Sequence, residues 1–237
     1  MVTAANSHLI QNRLLAALPH EEYQRLQRHL ELVQLSNRRT LCEVGDSIRH
    51  AYFLNSGMGS LLALTQSGAT VEIAMVGNEG MLGIPVILGA NNAPYQIMVQ
   101  LPGEGMRIKT DVIRAEFKRA GALHDLLLSY THALITQVSQ SAVCNRFHTV
   151  EKRLCRWLLI AHDRVDGDTF HLTQEIISFM LGTPRTGVTM AAGTLQDAGL
   201  IRYRRGKITI LDRRGLEEAS CECYRIIVKS LDLFLTT

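Results

Sequence analysis

The spacing of hydrophobic and polar positions changes repeatedly along the chain. From Ile10 to Leu32 apolar residues recur at helical intervals (Leu14, Leu15 and Leu18, then Tyr23, Leu26 and Leu30). This predicts two short helices broken at Pro19. From Glu31 to Lys109 short runs rich in Val, Ile, Tyr and Leu alternate with turn residues at 44–46, 55–57, 66–68, 76–78 and 102–103. Many short strands with frequent turns predict a compact antiparallel β-sandwich or barrel. Thr110 to Lys118 reads as a short helix, and Gly121 separates it from a long one over about Leu123 to Asn145 that contains neither Pro nor Gly. Along it Leu128, Thr131, Ile135, Val138 and Ala142 recur at alternating steps of three and four, the spacing of a helix–helix seam, beside a second apolar stripe of Leu127, Tyr130 and Leu134. A helix with two apolar flanks needs two partners, its own β-domain and a second copy of itself; the alternative is a helix buried inside one monomer.

Thr149 caps the next predicted helix, Val150 to His162, whose buried face is Leu154, Trp157, Leu158 and Ala161. After Asp166-Gly167-Asp168 comes a segment with the layout of a helix-turn-helix. Thr173 caps a helix running to Leu181 with Ile176, Ile177 and Met180 inward, and Gly182 ends it. Thr183 and Pro184 then start a second helix as cap and first residue, with Val188, Ala191, Ala192 and Leu195 on its buried side and Gly199 closing it. Ile201 to Leu211 reads as a β-hairpin with a Gly tip at 206 and basic residues Arg204, Arg205 and Lys207 around it.

Composition narrows the function. Hydrophobic residues make up 46% and charged residues 20% of 237, the balance of a folded protein with an ample core. No run of about 18 uncharged apolar residues is present, so no membrane span is expected. The first residues lack a basic segment leading into an apolar one, so no signal peptide is expected either. Five cysteines at irregular spacings (Cys42, Cys144, Cys155, Cys221, Cys223) argue against a disulfide framework and for a reducing compartment, the cytoplasm. Net charge is only +3, yet Lys152 to Arg214 holds eleven Lys or Arg, six of them from Arg202 onward. A local basic face on a near-neutral protein suits duplex DNA.

On that reading Arg185, Thr186 and Thr189 are the base-reading residues. An arginine offers paired donors to guanine O6 and N7, and a threonine meets a base edge or a thymine methyl. Thr173 and Thr183, with Arg204, Arg205 and Lys207, hold the sugar-phosphate backbone. The alternatives are an ordinary solvated turn at the hairpin and a winged domain that contacts only protein. P-loop, dinucleotide fingerprint, zinc-protease and nucleophile-elbow motifs are all missing, and Glu79 and the pair His162-Asp163 read as isolated polar residues; no enzyme is expected.

The order of β-domain, long helix, capped hinge and winged helix-turn-helix resembles the bacterial Crp/Fnr superfamily over nearly the whole chain. The likeness is carried best by Leu172-Thr-Gln-Glu-Ile through Leu200-Ile201, by Gly45-Asp46, Tyr52 and Gly57, and by Phe147 to Thr149. It implies an α+β homodimer with an N-terminal effector or sensor β-roll domain (residues 1–121), a long dimerisation helix (122–147) and a C-terminal winged helix-turn-helix domain with a final helix (148–237). It also implies an inverted-repeat DNA site, RNA polymerase as a further partner, and an effector that rotates the DNA-binding domains. Arg185 falls where the family reads guanine, whereas Thr186 and Met190 replace a glutamate and a second arginine. The stretch that in cyclic-nucleotide-binding members supplies a ribose-binding glutamate is here Gly80-Met81-Leu82-Gly83. Ala93-Pro94-Tyr95-Gln96 stands where their phosphate-binding arginine lies, and no Lys or Arg occurs between Arg49 and Arg107. The resemblance therefore implies an effector other than a cyclic nucleotide, and its identity stays open.

Sensor cofactors find little support. No cysteine precedes Cys42, as an N-terminal iron–sulfur cluster requires, and His50, His124 and His132 read as ordinary surface or core histidines rather than haem ligands. Cys221 and Cys223, two apart on a presumed tail helix, point to different sides and neither pair readily nor chelate one metal alone. Small half-buried residues are one reading of them and a redox or metal role the other. No cofactor and no metal site is expected.

Overall fold

A computed structural model describes residues 11–236, with side chains to residue 232. Ile10, the start of the first predicted helix, lies outside the described residues. The described residues divide into two compact units, 11–61, 76–134 and 231–236 in the first and 62–75 with 135–230 in the second.

In the first unit, α1 (Arg13–Ala16) and α2 (His20–Gln27) precede strands β1 (Glu31–Leu35), β2 (Thr40–Cys42), β3 (His50–Leu54), β4 (Met58–Leu64), β5 (Thr70–Val76), β6 (Met81–Leu82), β7 (Gln96–Leu101) and β8 (Gly103–Lys109). They form two four-stranded sheets of order β1-β8-β3-β6 and β2-β7-β4-β5, the antiparallel architecture that the alternating pattern predicts and the roll that the resemblance implies. The end of β4, the turn after it and all of β5 but Val76, residues 62–75, count with the second unit. Buried Asn12 caps α1 through the Leu15 amide and donates 2.9 Å bonds to the carbonyls of Leu54 and Gly80, tying the N-terminal helix to the sheet. Helix α3 (Thr110–Phe117) leads to α4 (Ala122–Phe147), slightly longer than the sequence pattern predicts. Its first amides, on Ala122 and Leu123, each donate at 2.9 Å to the Glu22 carboxylate, which satisfies orphan donors and places negative charge at the positive helix end. Tyr130 of α4 lies over Gly80; a Cβ there would stand 2.2 Å from its hydroxyl oxygen, so only glycine admits the ring.

The second unit is built around α5 (Val150–His162), capped by Thr149 as expected. The expectation of one buried face is too modest. Every residue from Arg153 to Ala161 is buried, Arg153 and Arg156 included, so α5 is the central post of the unit. Trp157 Nε1 donates to Glu72 at 2.7 Å, and Gln137 Nε2 donates to the Met75 carbonyl at 3.1 Å, which brings the 62–75 hairpin into this unit. Around α5 stand β9 (Thr169–His171), α6 (Gln174–Leu181), α7 (Arg185–Asp197), β10 (Ile201–Arg204), β11 (Lys207–Ile210), α8 (Arg213–Ala219) and α9 (Cys223–Thr236). The predicted hairpin is in fact a three-stranded sheet of order β10-β11-β9. His162 and Asp163 are not isolated. Arg213 holds both, donating to His162 Nδ1 at 2.8 Å and Asp163 Oδ1 at 2.6 Å, and it also donates to Tyr224, so α8 and α9 are fastened to the end of α5.

Candidate nucleic-acid interface

Helices α6 and α7 adopt the two-helix turn because each break has a local cause. Thr173 accepts from the Ile176 amide at 3.2 Å and starts α6. Gly182, with φ +55° and ψ +43°, takes the left-handed conformation that ends it. The start of α7 differs from expectation. Pro184, not Thr183, is its capping residue and offers no side-chain cap, so Arg185 is the first helical residue and the first-turn amides have no side-chain acceptor from the cap. Val188, Ala191, Ala192 and Leu195 are buried as predicted, and they hold α7 with Arg185, Thr186, Thr189 and Met190 outward.

The wing follows directly. Strands β10 and β11 are joined by Arg205-Gly206, both at positive φ (+51° and +72°), the signature of a type I′ turn, which matches the strand twist. Arg202, Arg204, Arg205 and Lys207 are exposed, and Arg204 faces Lys207 across the last rung. The Leu172 amide donates to the Gly206 carbonyl at 2.8 Å, so the basic tip is fixed beside Thr173 at the start of α6. Among the described residues, no carboxylate stands within salt-bridge reach of Arg185, Arg202, Arg204, Arg205 or Lys207.

Two residues that the sequence pattern does not single out join this surface. Gln174 accepts from the Thr189 hydroxyl at 3.0 Å, and that hydroxyl also points at the Arg185 carbonyl at 2.9 Å. The Thr189 hydrogen is thus committed within the protein, which leaves its methyl and lone pairs, with the Gln174 amide group, to face outward contacts. Tyr203 of β10 sits against the same group. Burial raises its hydroxyl above the ordinary tyrosine value, opposed by a hydrogen bond from the Gln174 backbone and by the Arg185 charge. Glutamine and tyrosine letters next to a helix start carry no distinctive spacing, so only the fold exposes their role. Thr183 is half-buried in the turn.

Along α4 the predicted seam splits. Leu128 and Ile135 are 43% and 58% exposed, Ala142 is exposed and Val138 half-buried, whereas Thr131 is buried and donates to the Leu127 carbonyl at 2.7 Å. Thr131 therefore faces the protein's own interior, and the outward stripe has a strict seven-residue spacing at 128, 135 and 142. Leu127, Tyr130 and Leu134 are buried as the second flank.

At the roll, Met81 and Leu82 are 1% exposed and lie in β6 against Phe53 and Tyr52 of β3. The roll also has a cavity of 330 Å³, lined by Cys42, Asp46, Arg49, His50 and Tyr52 among others, and neither residues 80–83 nor 93–96 line it. His124 lies against the Phe117 ring and bonds Asp125. One group of ligand-type side chains does converge, counter to the expectation of no metal site: Cys144, His148, Cys221 and Cys223 in the second unit. No helix among the described residues is long and apolar enough to cross a membrane.

Comparison with known proteins agrees with this geometry. Residues 152–219 match the Crp-like helix-turn-helix domain. The global nitrogen regulator of Nostoc sp. (strain PCC 7120) is 23% identical over 181 residues, which cover 73% of this chain and 81% of that protein. Among solved structures, FixK2 from Bradyrhizobium japonicum superposes with a TM-score of 0.70 at 13% identity, covering 81% of this chain and 98% of the other. A CRP/FNR-family transcriptional regulator from Thermus thermophilus gives 0.61 at 17% identity, covering 80% and 98%.

Proposed function

We propose that the chain is a DNA-binding transcriptional regulator of the Crp/Fnr type that acts as a homodimer on an inverted-repeat site in duplex DNA, in the cytoplasm and without enzymatic activity. The observation that carries this reading is the exposure of Arg185, Thr186 and Thr189 at the start of α7 together with the exposed basic residues of the Arg205-Gly206 wing tip, which is fixed beside the start of α6. Helix α7 enters the major groove, about 12 Å wide, by its N-terminal turn. Arg185 gives two donors to guanine. Thr186 and the Thr189 methyl meet neighbouring base edges or a thymine methyl, and the Gln174 amide adds a donor at the groove's edge. Met190, 72% exposed, offers only apolar contact where a second arginine stands in the family, so the preferred operator departs from the family's usual one. Thr173, Thr183, Arg204, Arg205 and Lys207 hold phosphates and set register without reading sequence.

The outward stripe Leu128, Ile135 and Ala142 pairs with its copy on a second chain about a two-fold axis, and the two reading helices then meet half-sites about one helical turn apart. RNA polymerase is a further partner of the DNA-bound dimer, and the effector, if the roll binds one, is not a cyclic nucleotide. Selection from random duplexes followed by footprinting tests the reading. The expected result is a two-fold symmetric protected site whose affinity falls steeply with salt, the slope reporting the phosphates neutralised. Footprints without symmetry, or affinity indifferent to both sequence and salt, would overturn it.

A further inference from the structure

Sequence spacing alone places Cys221 and Cys223 on one helix, pointing apart. In the structure Cys221 precedes α9 and Cys223 opens it, so Glu222 forms a turn and both thiols face the same way. They meet Cys144, three residues before the end of α4, and His148 in the link between α4 and α5. The three sulfurs and the imidazole nitrogen all lie within 4.8 Å of one another. Cys144 Sγ stands 3.5 Å from Cys221 Sγ, and Cys223 Sγ stands 3.7 Å from His148 Nδ1. We propose that Cys144, His148, Cys221 and Cys223 form a closed, tetrahedral site for a thiophilic divalent ion of the zinc class.

Distances favour this over simple packing of small residues. Around a tetrahedral ion with Zn–S bonds of about 2.3 Å, neighbouring sulfurs stand about 3.8 Å apart, close to the separations found. An iron–sulfur cluster distributes its protein ligands over two or more irons and so spreads them more widely than a single ion does. The histidine is already oriented for ligation. His148 Nε2 lies 3.3 Å from the Glu222 carboxylate, so the ring proton sits on Nε2 and the Nδ1 lone pair faces the sulfurs, the carboxylate–histidine–metal arrangement that fixes a ligand's tautomer. All three cysteines are buried, which excludes solvent from the centre.

Charge agrees as well. Each thiol releases its proton to solvent as its metal–sulfur bond forms, so a divalent ion with three thiolates and a neutral imidazole carries one net negative charge. Arg156 is 4% exposed, and its Nε has no hydrogen-bond partner among the described residues. Its charge interacts with the Cys144 and Cys223 thiols. A buried guanidinium wants a buried anion, and the metal centre supplies one. With four protein ligands no coordination position is left for substrate, so the ion is structural. It fastens the end of α4, the link to α5 and the start of α9 to one another.

Metal analysis of the full-length chain, purified with zinc present and then dialysed, tests the site. Inductively coupled plasma mass spectrometry should find about one zinc per chain, as a closed four-ligand site binds. Cobalt(II) substitution should give the visible bands of a tetrahedral ion and near-ultraviolet thiolate charge transfer. Replacing Cys221 or Cys223 with Ser should reduce that charge transfer, whereas Cys42→Ser in the roll should leave it unchanged. Glu222→Gln, which keeps all four ligands, should weaken zinc binding about 10–100-fold. Wild-type protein that retains no zinc and shows no tetrahedral cobalt spectrum overturns the proposal without any variant. So does a Cys144–Cys221 disulfide found by mass spectrometry in zinc-supplied protein handled without air.

Discussion

The roll and the surface around the wing tip treat several of their cations in opposite ways. In the roll, Arg107 is bound to Glu31 at 2.7 Å, Arg25 and Arg119 share Glu116, and Arg114 is held by the carbonyls of Val86, Ala90 and the Asn91 side chain. Around the wing tip and the start of α7, Arg185, Arg204, Arg205 and Lys207 are exposed, with no carboxylate among the described residues paired to them. Exposed pairs like those of the roll contribute at most about 1 kcal/mol each, and each pair largely cancels its own charge. The wing tip and the start of α7 do the reverse, forgoing that small gain and leaving four cations uncancelled, as the proposed contact with a polyanion requires. Apolar groups follow the same division. Leu127, Tyr130 and Leu134 of α4 are covered by the protein itself, and Leu128 and Ile135 are not. What a chain leaves unsatisfied, it satisfies with something else.

The largest effect expected from this contrast is at Ile135. A charge there interrupts the outward stripe while touching none of the buried flank, so Ile135→Asp should leave a folded monomer. A monomer loses the avidity of two linked half-sites, roughly 10²–10⁴-fold in DNA affinity. Light scattering and a binding titration check both consequences. A wild-type chain that is monomeric yet binds tightly would show that the exposed stripe has no copy to cover it.

Much of this was legible because the relevant signals are local. The caps at Thr149 and Thr173, the left-handed Gly182 and the buried side of α7 each depend on a few adjacent residues, and the structure places all of them as the sequence implies. What stayed hidden depends on distant parts of the chain. Strand β9 has only three residues and no pattern of its own; it exists because Phe170 finds Ile208 on β11. The all-round burial of α5 is masked by Arg153 and Arg156, polar residues whose burial depends on partners such as the Leu181 carbonyl, to which Arg153 donates. Thr131 fits the seam by spacing, yet its hydroxyl bonds back to the preceding turn and its side chain turns inward. Likewise Cys144, His148, Cys221 and Cys223 are spread over about eighty residues, and nothing in their spacing announces that they meet.

Next in size is Arg185→Ala. If its two donors read guanine, the change should lose on the order of 1–3 kcal/mol on the selected site and far less on random duplex. The measurement is the ratio of the two affinities. Equal losses on both sequences would move Arg185 from the bases to the backbone and weaken the division between reading helix and holding wing.

Arg205→Ala should do less, and do it evenly. The residue sits at positive φ, where alanine is as strained as arginine, so the fold changes little and the missing charge dominates. One lost phosphate contact reduces the salt slope by about one for every sequence. Arg205→Gly keeps the turn and removes the same charge, so both variants should share one slope. If the glycine variant restores wild-type binding, backbone strain rather than charge is what Arg205 contributes.

The smallest expected effect is none at all, from cyclic AMP or cyclic GMP. Binding in the family's manner needs a carboxylate for the ribose and a cation for the phosphate. This chain offers Met81, fully buried against β3, and the uncharged Pro94-Tyr95-Gln96. A lost charge-assisted phosphate contact forfeits about 1.5–3 kcal/mol, and the ribose bond adds more. Backbone amides could in principle replace the arginine as an anion nest around residues 77–83. Here two of them are already engaged: the Gly80 amide donates to the Gly77 carbonyl at 3.2 Å, and the Gly77 amide to Glu79 Oε1 at 3.0 Å. Tyr130 also lies directly over Gly80, leaving no space for a phosphate at that point. A loss of roughly a hundredfold follows, enough to carry a micromolar ligand out of the useful range. Calorimetry at micromolar protein should therefore record no heat with either nucleotide, and neither should alter DNA affinity. A saturable heat that disappears when the phosphate is removed would mean that the roll opens around residues 77–83, and that its internal bonds are a resting state rather than its final one.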